Sequence, residues 1–176
     1  MASQYYLTIK LDPHYQRFLR GHFMCEAEIF EFPGRHYFNT MIEHFVVRKR
    51  EGHVEPETDE CSFKILLPNF AHKNPAFFRY LSEVKEAVLK AEIKEYYDWV
   101  VKDRIKDLMK IQERRADGSV KCLDRQQCTL VLIDEYGFNK GDADSFDRIY
   151  KLYSRYKQTI RQQNFRGKKK TEKIKC

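Results

Sequence analysis

The chain contains few residues of the kinds that interrupt or cross-link a fold: 7 Gly, 5 Pro and 5 Cys among 176 residues. An odd number of cysteines at irregular spacing does not predict a disulfide framework and favours a reducing compartment. No apolar run approaches the roughly 18 residues that a membrane span needs, and the N-terminus MASQYYLTIK lacks the apolar segment of a secretory signal. We therefore expect a cytoplasmic protein without a membrane partner.

Common sequence signatures of enzymes are also missing. The chain has no G-x-x-x-x-G-K-[ST] or G-x-G-x-x-G loop, no H-E-x-x-H motif and no G-x-S-x-G motif. Cys122 and Cys128 flank five residues, which is wider than usual zinc pairs, and His36 and His44 lie eight positions apart, about twice the spacing of helical metal pairs. We therefore predict no catalytic, cofactor-binding or metal-binding residue, and we expect a protein that is not an enzyme.

Negative charge is scarce only at the C-terminal end of the chain. Residues 141–176 contain 11 Lys or Arg against 4 Asp or Glu, whereas residues 1–140 contain 22 of each, so the net charge of +7 arises in the last segment. A Lys-rich tail begins at Gly167, and we expect it to be disordered. Such a tail strengthens binding to polyanions without reading base sequence, because phosphate contacts carry no sequence information.

The spacing of apolar residues predicts an α+β fold: a small mixed sheet with long helices, followed by a C-terminal helical unit that resembles a helix-turn-helix. Strands are predicted at residues 4–11, 26–32, 62–67 and 77–81, and helices at 13–20, 35–47 and 82–115. We assign residues 1–115 to an α+β body, 116–166 to the helix-turn-helix-like unit and 167–176 to the tail.

The long helix predicted at 82–115 carries alternating charges on the side that we expect to be exposed, and its acidic residues all have Lys or Arg within four positions. These carboxylates are therefore interpreted as a solvated face and not as a catalytic set. The residues predicted to be buried are Val84, Val88, Ala91, Tyr96, Val100, Ile105, Leu108 and Ile111.

Residues 122–162 predict two amphipathic helices joined by a turn. Gly137 can adopt the left-handed conformation that closes the first helix, Phe138 can cover its end, and Asp142 or Asp144 can cap the second helix near Ser145. The connection of about seven residues is longer than the three to four of a compact helix-turn-helix. The apolar positions predicted to be packed are Leu123, Leu130, Val131, Ile133, Tyr136, Phe146, Ile149, Tyr150, Tyr153, Tyr156 and Ile160.

Basic residues of the second helix recur at steps of three and four, next to its apolar side. One side of the helix can therefore pack while another contacts phosphate. The predicted nucleic-acid-binding residues are Arg148, Lys151, Arg155, Arg161, Lys168, Lys169 and Lys170.

The run LVLIDEYGF followed by DADSFDRIYKLYSRYK resembles the C-terminal ends of small basic DNA-binding proteins of bacterial phages and mobile elements. The similarity covers about forty residues and consists of an apolar helix, a Gly turn and a helix rich in Tyr and Arg. The resemblance implies a pair of terminal helices that contact DNA, and it transfers no individual functional residue.

Together these patterns predict a non-enzymatic DNA-binding accessory or regulatory protein, encoded by a phage or mobile element, with duplex DNA as the favoured partner. Two alternatives stay open. The first is a protein-interaction module, such as a phage structural or host-directed factor, that uses aromatic residues including Tyr5, Tyr6, Phe30 and Phe32. The second is a nucleic-acid-processing enzyme that uses scattered carboxylates or Tyr153 as a nucleophile.

Overall fold

The computed structural model of the protein describes residues 5–48, 58–70, 72–114, 120–139 and 141–173; side chains at 112–114, 120–121 and 163–173 lie outside that description. The α+β fold class is confirmed. The elements are β1 (Tyr6–Lys10), α1 (Pro13–His22), α2 (Tyr37–Phe45), β2 (Val47–Arg48), β3 (Ser62–Leu66), β4 (Phe78–Tyr80), α3 (Glu83–Leu108), β5 (Gln112–Arg114), β6 (Val120–Cys122), α4 (Arg125–Glu135) and α5 (Ala143–Lys173).

Contacts divide the chain into two compact units, which we term unit 1 (Met1–Tyr97) and unit 2 (Asp98–Cys176). This division falls inside α3, whereas the sequence suggested a boundary after residue 115. None of the helices in the described ranges combines the length and the apolar character of a membrane span. The sequence of residues 49–60 has no helical or strand periodicity and predicts an exposed loop, and this segment lies mostly outside the described residues.

Unit 1 is built on the antiparallel pair β1–β3, in which Leu7 pairs with Ile65 and Ile9 with Phe63. Since successive strand residues point to opposite faces, these four side chains share one face, and all are buried. Helix α1 follows directly: the Asp12 side chain accepts a hydrogen bond from the backbone N–H of His14 at 2.8 Å, which caps the helix N-terminus.

The prediction of a regular strand at 26–32 is wrong. Only Phe30 forms a bridge, parallel to Ile65, through hydrogen bonds with the backbone of Lys64 and Leu66. The carbonyl oxygens of Ala27 and Glu28 accept from the Arg20 guanidinium instead of from a neighbouring strand. The arginine side chain therefore replaces the ladder that the alternating sequence predicted.

The strand predicted at 77–81 is observed as β4, and its partner is β2, with Val47 opposite Tyr80 and Arg48 opposite Phe78. The sequence assigned Val47 to the end of a helix. Helix α2 stops earlier, because its C-cap residue Val46 already has an extended backbone with ψ 139°.

Aromatic rings fill the interior of unit 1. Phe30 lies 4.8 Å from Phe32 and 5.2 Å from Phe63 between ring centroids, and Phe32 lies 4.8 Å from Phe38. Edge-on, tilted and stacked ring pairs of this kind stabilise a core beyond the apolar area that they bury. The most deeply buried phenylalanines are Phe18, Phe30, Phe32, Phe38 and Phe63.

Helix α3 is one continuous helix of 26 residues, and it ends at Leu108 instead of extending to 115. Residues Gln112–Arg114 pair antiparallel with Val120–Cys122, so the predicted last turn of the helix is a strand. Val84, Val88 and Ile111 were predicted to be buried and are 72%, 40% and 44% exposed, and Ala91, which was also predicted to be buried, is exposed. The buried side chains that the prediction missed are Leu89, Ile93, Tyr97 and Val101.

Candidate nucleic-acid interface

Helix α4 supports the candidate interface of unit 2. Two reciprocal hydrogen bonds, a capping box, fix its N-terminus. The Asp124 side chain accepts from the backbone N–H of Gln127 at 2.9 Å, and the Gln127 side chain accepts from the backbone N–H of Asp124 at 2.9 Å. Each bond satisfies a backbone donor that the helix leaves unpaired. Local sequence therefore fixes where α4 begins.

The end of α4 confirms the predicted glycine closure. Gly137 has φ +66°, and the backbone N–H groups of Gly137 and Phe138 donate to the carbonyls of Asp134 and Ile133. This is the bonding pattern of a Schellman motif, which requires a left-handed residue at this position. Phe138 is 4% exposed, so it covers the helix end as expected.

Helix α5 begins with Asp142 as its cap, which resolves the choice between Asp142 and Asp144. One Asp142 carboxylate oxygen accepts from the backbone N–H of Ser145 at 3.2 Å and the other accepts from its hydroxyl at 2.8 Å. Ser145 is fully buried, whereas Asp142 is only half-buried, so the donor side of both hydrogen bonds is shielded from water. Hydrogen bonds therefore fix both ends of the seven-residue connection 136–142, at the end of α4 and at the start of α5.

Helices α4 and α5 pack through a narrow apolar seam. Leu130 and Val131 were predicted to be packed but are 45% and 37% exposed, while Leu152, absent from the prediction, is 4% exposed. Phe146 and Tyr156 are half-buried. The buried side chains of the two helices are Cys128, Thr129, Leu132, Ile133, Ser145, Ile149, Leu152 and Tyr153.

An arginine on α4 links the two helices next to this seam. The Arg125 guanidinium carbon lies 3.6 Å from the centroid of the Tyr150 ring, and the group donates to the Ser154 hydroxyl at 2.6 Å and to the Tyr150 hydroxyl. Tyr150 in turn stacks on Phe146 with ring centroids 5.7 Å apart. Arg125 is therefore engaged in holding α5 and was not among the predicted contacts.

Two of the predicted phosphate contacts are already paired within α5. Arg148 Nε lies 2.8 Å from the Asp144 carboxylate and Lys151 Nζ lies 2.5 Å from the Asp147 carboxylate. An acid four residues before a base is the favourable helical order, but exposed pairs of this kind contribute only about 0.3–0.5 kcal/mol. In both pairs the acid lies four residues before the base, so the sequence contained the signal for these pairs, although they were not predicted.

Arg155 and Arg161 are exposed, and neither makes an ion pair with any residue in the part of the chain that the structure describes. Lys157 is also exposed, with its ammonium 6.0 Å from the Tyr153 ring centroid. The exposed cations therefore occupy more than one side of α5 beyond its first two turns.

The predicted contacts Lys168, Lys169 and Lys170 have side chains outside the described part of the structure. The backbone of α5 continues through Lys173 as helix, which differs from the disordered tail expected after residue 166. Lysine is a good helix former and the segment has no proline, whereas one glycine costs only about 1 kcal/mol in a helix.

The structure locates several residues of the catalytic alternatives. Tyr153 is 3% exposed, and burial raises the pKa of its phenol, so the hydroxyl stays neutral and shielded from a substrate. Asp98 and Asp107 contact the lysines at 102 and 110 at 3.4 and 2.8 Å, as expected for a solvated face. Within the described ranges, no group of three or more His, Cys, Asp or Glu could hold a metal ion.

The aromatic surface of the protein-interaction alternative is partly wrong. Phe30 and Phe32 are 0% and 1% exposed and belong to the core, whereas Tyr6 is 37% exposed and Tyr5 is half-buried. A partner could therefore reach only the two tyrosines of that set.

Comparisons of this chain with protein-family models, with curated proteins and with solved structures found no match.

Proposed function

We propose that the protein is a non-enzymatic, cytoplasmic DNA-binding protein with an accessory or regulatory role, encoded by a phage or mobile element, and that α5 contacts the phosphates of duplex DNA. One observation carries the proposal. Residues 148–171 contain nine Lys or Arg and no Asp or Glu, and their backbone forms one continuous helix. A helix with this charge attracts the phosphate backbone irrespective of base sequence.

The helix is attached to unit 2 in a way that leaves these cations accessible. Ile149, Leu152 and Tyr153 are buried, whereas Lys151 and Arg155 are exposed. The caps at both ends of the connection and the Arg125 link restrict how the segment of α5 up to Ser154 can move on α4, and a restrained segment loses less entropy when it binds. We infer that Arg155 and Arg161 make the first phosphate contacts.

The two intrahelical pairs would modify binding. A phosphate that contacts Arg148 or Lys151 must compete with Asp144 or Asp147, which lie one turn before them in α5. Because each exposed pair is weak, a phosphate of the DNA backbone can displace the carboxylate at a cost of about 0.5 kcal/mol. The acidic side chains therefore reduce the affinity and do not abolish it.

A salt titration tests the proposal. Fluorescence anisotropy with a random-sequence duplex should show that the logarithm of the binding constant falls steeply with the logarithm of the salt concentration. Lys151→Gln combined with Arg155→Gln should weaken binding and lower the salt slope by about 2, one unit for each lost phosphate contact. Asp144→Asn combined with Asp147→Asn should strengthen binding.

A control variant with the same net charge shows whether binding depends on contacts made by α5 or only on the net charge of the protein. Arg35 and Lys94 are exposed residues of unit 1, and Arg35→Gln with Lys94→Gln removes the same number of positive charges. This control should leave the salt slope nearly unchanged. Equal effects of both double variants would show that charge alone attracts DNA, and no duplex binding at low salt would reject the proposal in favour of a protein partner.

A further inference from the structure

Two glutamines, Gln158 and Gln162, lie on one exposed face of α5. They are four positions apart, so they lie one turn above the other on the same side of the helix. Tyr156 and Ile160, two positions before and after Gln158, are half-buried on the opposite side. Neither glutamine side chain makes a hydrogen bond with any residue that the structure describes. Both amide groups are therefore available to a partner.

The neighbouring hydroxyl group is used differently. Thr159 is also exposed, but its hydroxyl donates to the backbone carbonyl of Arg155 at 3.0 Å, within α5 itself. The amides of the two glutamines are too far along their side chains to be needed for the helix, whose own backbone bonds are complete in this segment. Their hydrogen-bonding groups thus have no structural role in α5.

Two exposed arginines flank Gln158 around the helix. Arg155 lies three residues before it and Arg161 three residues after it, so their side chains leave the helix roughly 60° to either side of Gln158. Neither arginine makes an ion pair with a residue in the described ranges. The face of α5 therefore has an uncharged amide at its centre and a cation at each side.

This arrangement matches the major groove of duplex DNA. The groove is about 12 Å wide, which admits an α-helix, and a phosphate backbone borders each of its two edges. Cations at the two sides of a helix in the groove can contact those phosphates, while the residues between them face the base edges. Phosphate contacts position a protein on DNA, whereas contacts with base edges select the sequence.

A glutamine amide complements adenine in this groove. Its N–H donates to adenine N7 and its oxygen accepts from the N6 amino group, and no other base presents that pair of groups there. Gln158 and Gln162 are separated by about 6 Å along the helix axis, so they can reach different base pairs. Double-stranded RNA does not permit this contact, because its major groove is too deep and narrow for side chains.

We propose that Gln158 and Gln162 recognise adenine in the major groove of duplex DNA and make the binding by α5 sequence-selective. This inference rests on the function proposed for α5 and adds the residues that select the sequence. Cations alone bind every duplex alike. Because glutamine is uncharged, its removal should change the sequence preference and leave the salt dependence as it was.

The test begins with selection of preferred sites from a random duplex library by the full-length protein. The selected site should contain adenine at two positions, and replacing either A·T pair by G·C should weaken binding by about 5- to 150-fold. Gln158→Ala combined with Gln162→Ala should remove this preference. The affinity for random duplex and the salt slope should stay nearly unchanged, and an RNA duplex of the selected sequence should show no preference.

Gln126 provides a matched control, because it is an exposed glutamine on α4, outside the proposed face. Gln126→Ala should keep the preference for the selected site. Alanine is a better helix former than glutamine, so α5 should stay helical in the double variant, and far-UV circular dichroism checks this.

The outcomes distinguish this inference from the function on which it rests. No binding to any duplex at low salt would reject the proposed function of α5. If duplexes bind but no adenine is selected, or if the preference survives in the glutamine double variant, the inference is overturned and the proposed function stands. An equal loss of affinity for selected and random duplexes in that variant overturns it as well.

Discussion

The two units differ in both charge and interior. Unit 1 has 13 Lys or Arg against 14 Asp or Glu, and phenylalanine rings fill its core. Unit 2 has 20 Lys or Arg against 12 Asp or Glu, and the buried side chains of its α4–α5 pair are four aliphatic residues, one tyrosine, one cysteine and two hydroxyl residues. The net positive charge of the protein therefore arises in unit 2, whose α4–α5 interior contains fewer aromatic rings than the core of unit 1.

This difference shows two ways of stabilising a unit. The rings of unit 1 bury large apolar areas in one contiguous cluster, so stability there depends on packing. In unit 2 the seam between α4 and α5 is narrow, and helix caps and the Arg125 contact with Tyr150 supplement it. A charged helix can be attached in this way while its other sides stay accessible.

Removing a ring from unit 1 should have the largest effect on stability. Phe30→Ala deletes a fully buried side chain that contacts Phe32 and Phe63, and it should lower the free energy of unfolding by about 3–5 kcal/mol. Urea denaturation followed by circular dichroism measures the change. Phe77→Ala, at a 61% exposed position, should cost less than about 0.5 kcal/mol. Similar costs for the two variants would contradict the ring-filled core.

Removing the polar link of unit 2 should have an intermediate effect. Arg125→Leu loses the stacking on Tyr150 and the hydrogen bond to Ser154, at an expected cost of about 1–2 kcal/mol. Thermal or urea unfolding measures it, with Arg155→Leu on the exposed side of α5 as the control. A double-mutant cycle with Ser154→Ala isolates the hydrogen bond. If both arginine variants cost the same, Arg125 does not link the helices.

The smallest expected effect is a pH dependence of unit 1. Burial, and then the charge of His22, lowers the pKa of His36 below its ordinary 6.5. The unfolded chain therefore binds a proton more readily than the folded one, and the free energy of unfolding should fall as the pH drops below 6.5. Neutral His36 also caps α2 by accepting from the backbone N–H of Phe38 at 3.4 Å. Protonation removes that acceptor.

Urea midpoints measured on both sides of pH 6.5 should reveal this loss. His36→Asn keeps a side-chain acceptor at the cap but has no ionisable group, so the pH dependence should weaken. An unchanged pH dependence in this variant would assign the effect to other groups.

Sequence reasoning succeeded where a local signal determines the structure. The Gly137 closure, the cap at Asp142 and the strand β1 all follow from residues within a few positions of each other. It failed where a distant group intervened, as with Arg20, whose guanidinium takes the carbonyls that a strand at 26–32 would have used. Local periodicity cannot include a partner from another element.

The candidate site follows the same division. The basic residues of α5 could be predicted because they are neighbours on one helix, although the ion pairs of Arg148 with Asp144 and of Lys151 with Asp147 were not predicted. In α4, which is apolar on several sides, spacing did not reveal that Leu130 and Val131 point outward.

Helix α5 contains 31 residues, and a helix of that length extends about 46 Å. Tyr153 is buried, whereas none of the described side chains from Ser154 to Gln162 is buried. Between Ser154 and Gln162 no buried side chain supports the backbone hydrogen bonds of the helix, and helical turns without such support open and re-form on nanosecond to microsecond timescales. We therefore expect the turns at Ile149–Tyr153 to open less often than the turns at Ser154–Gln162.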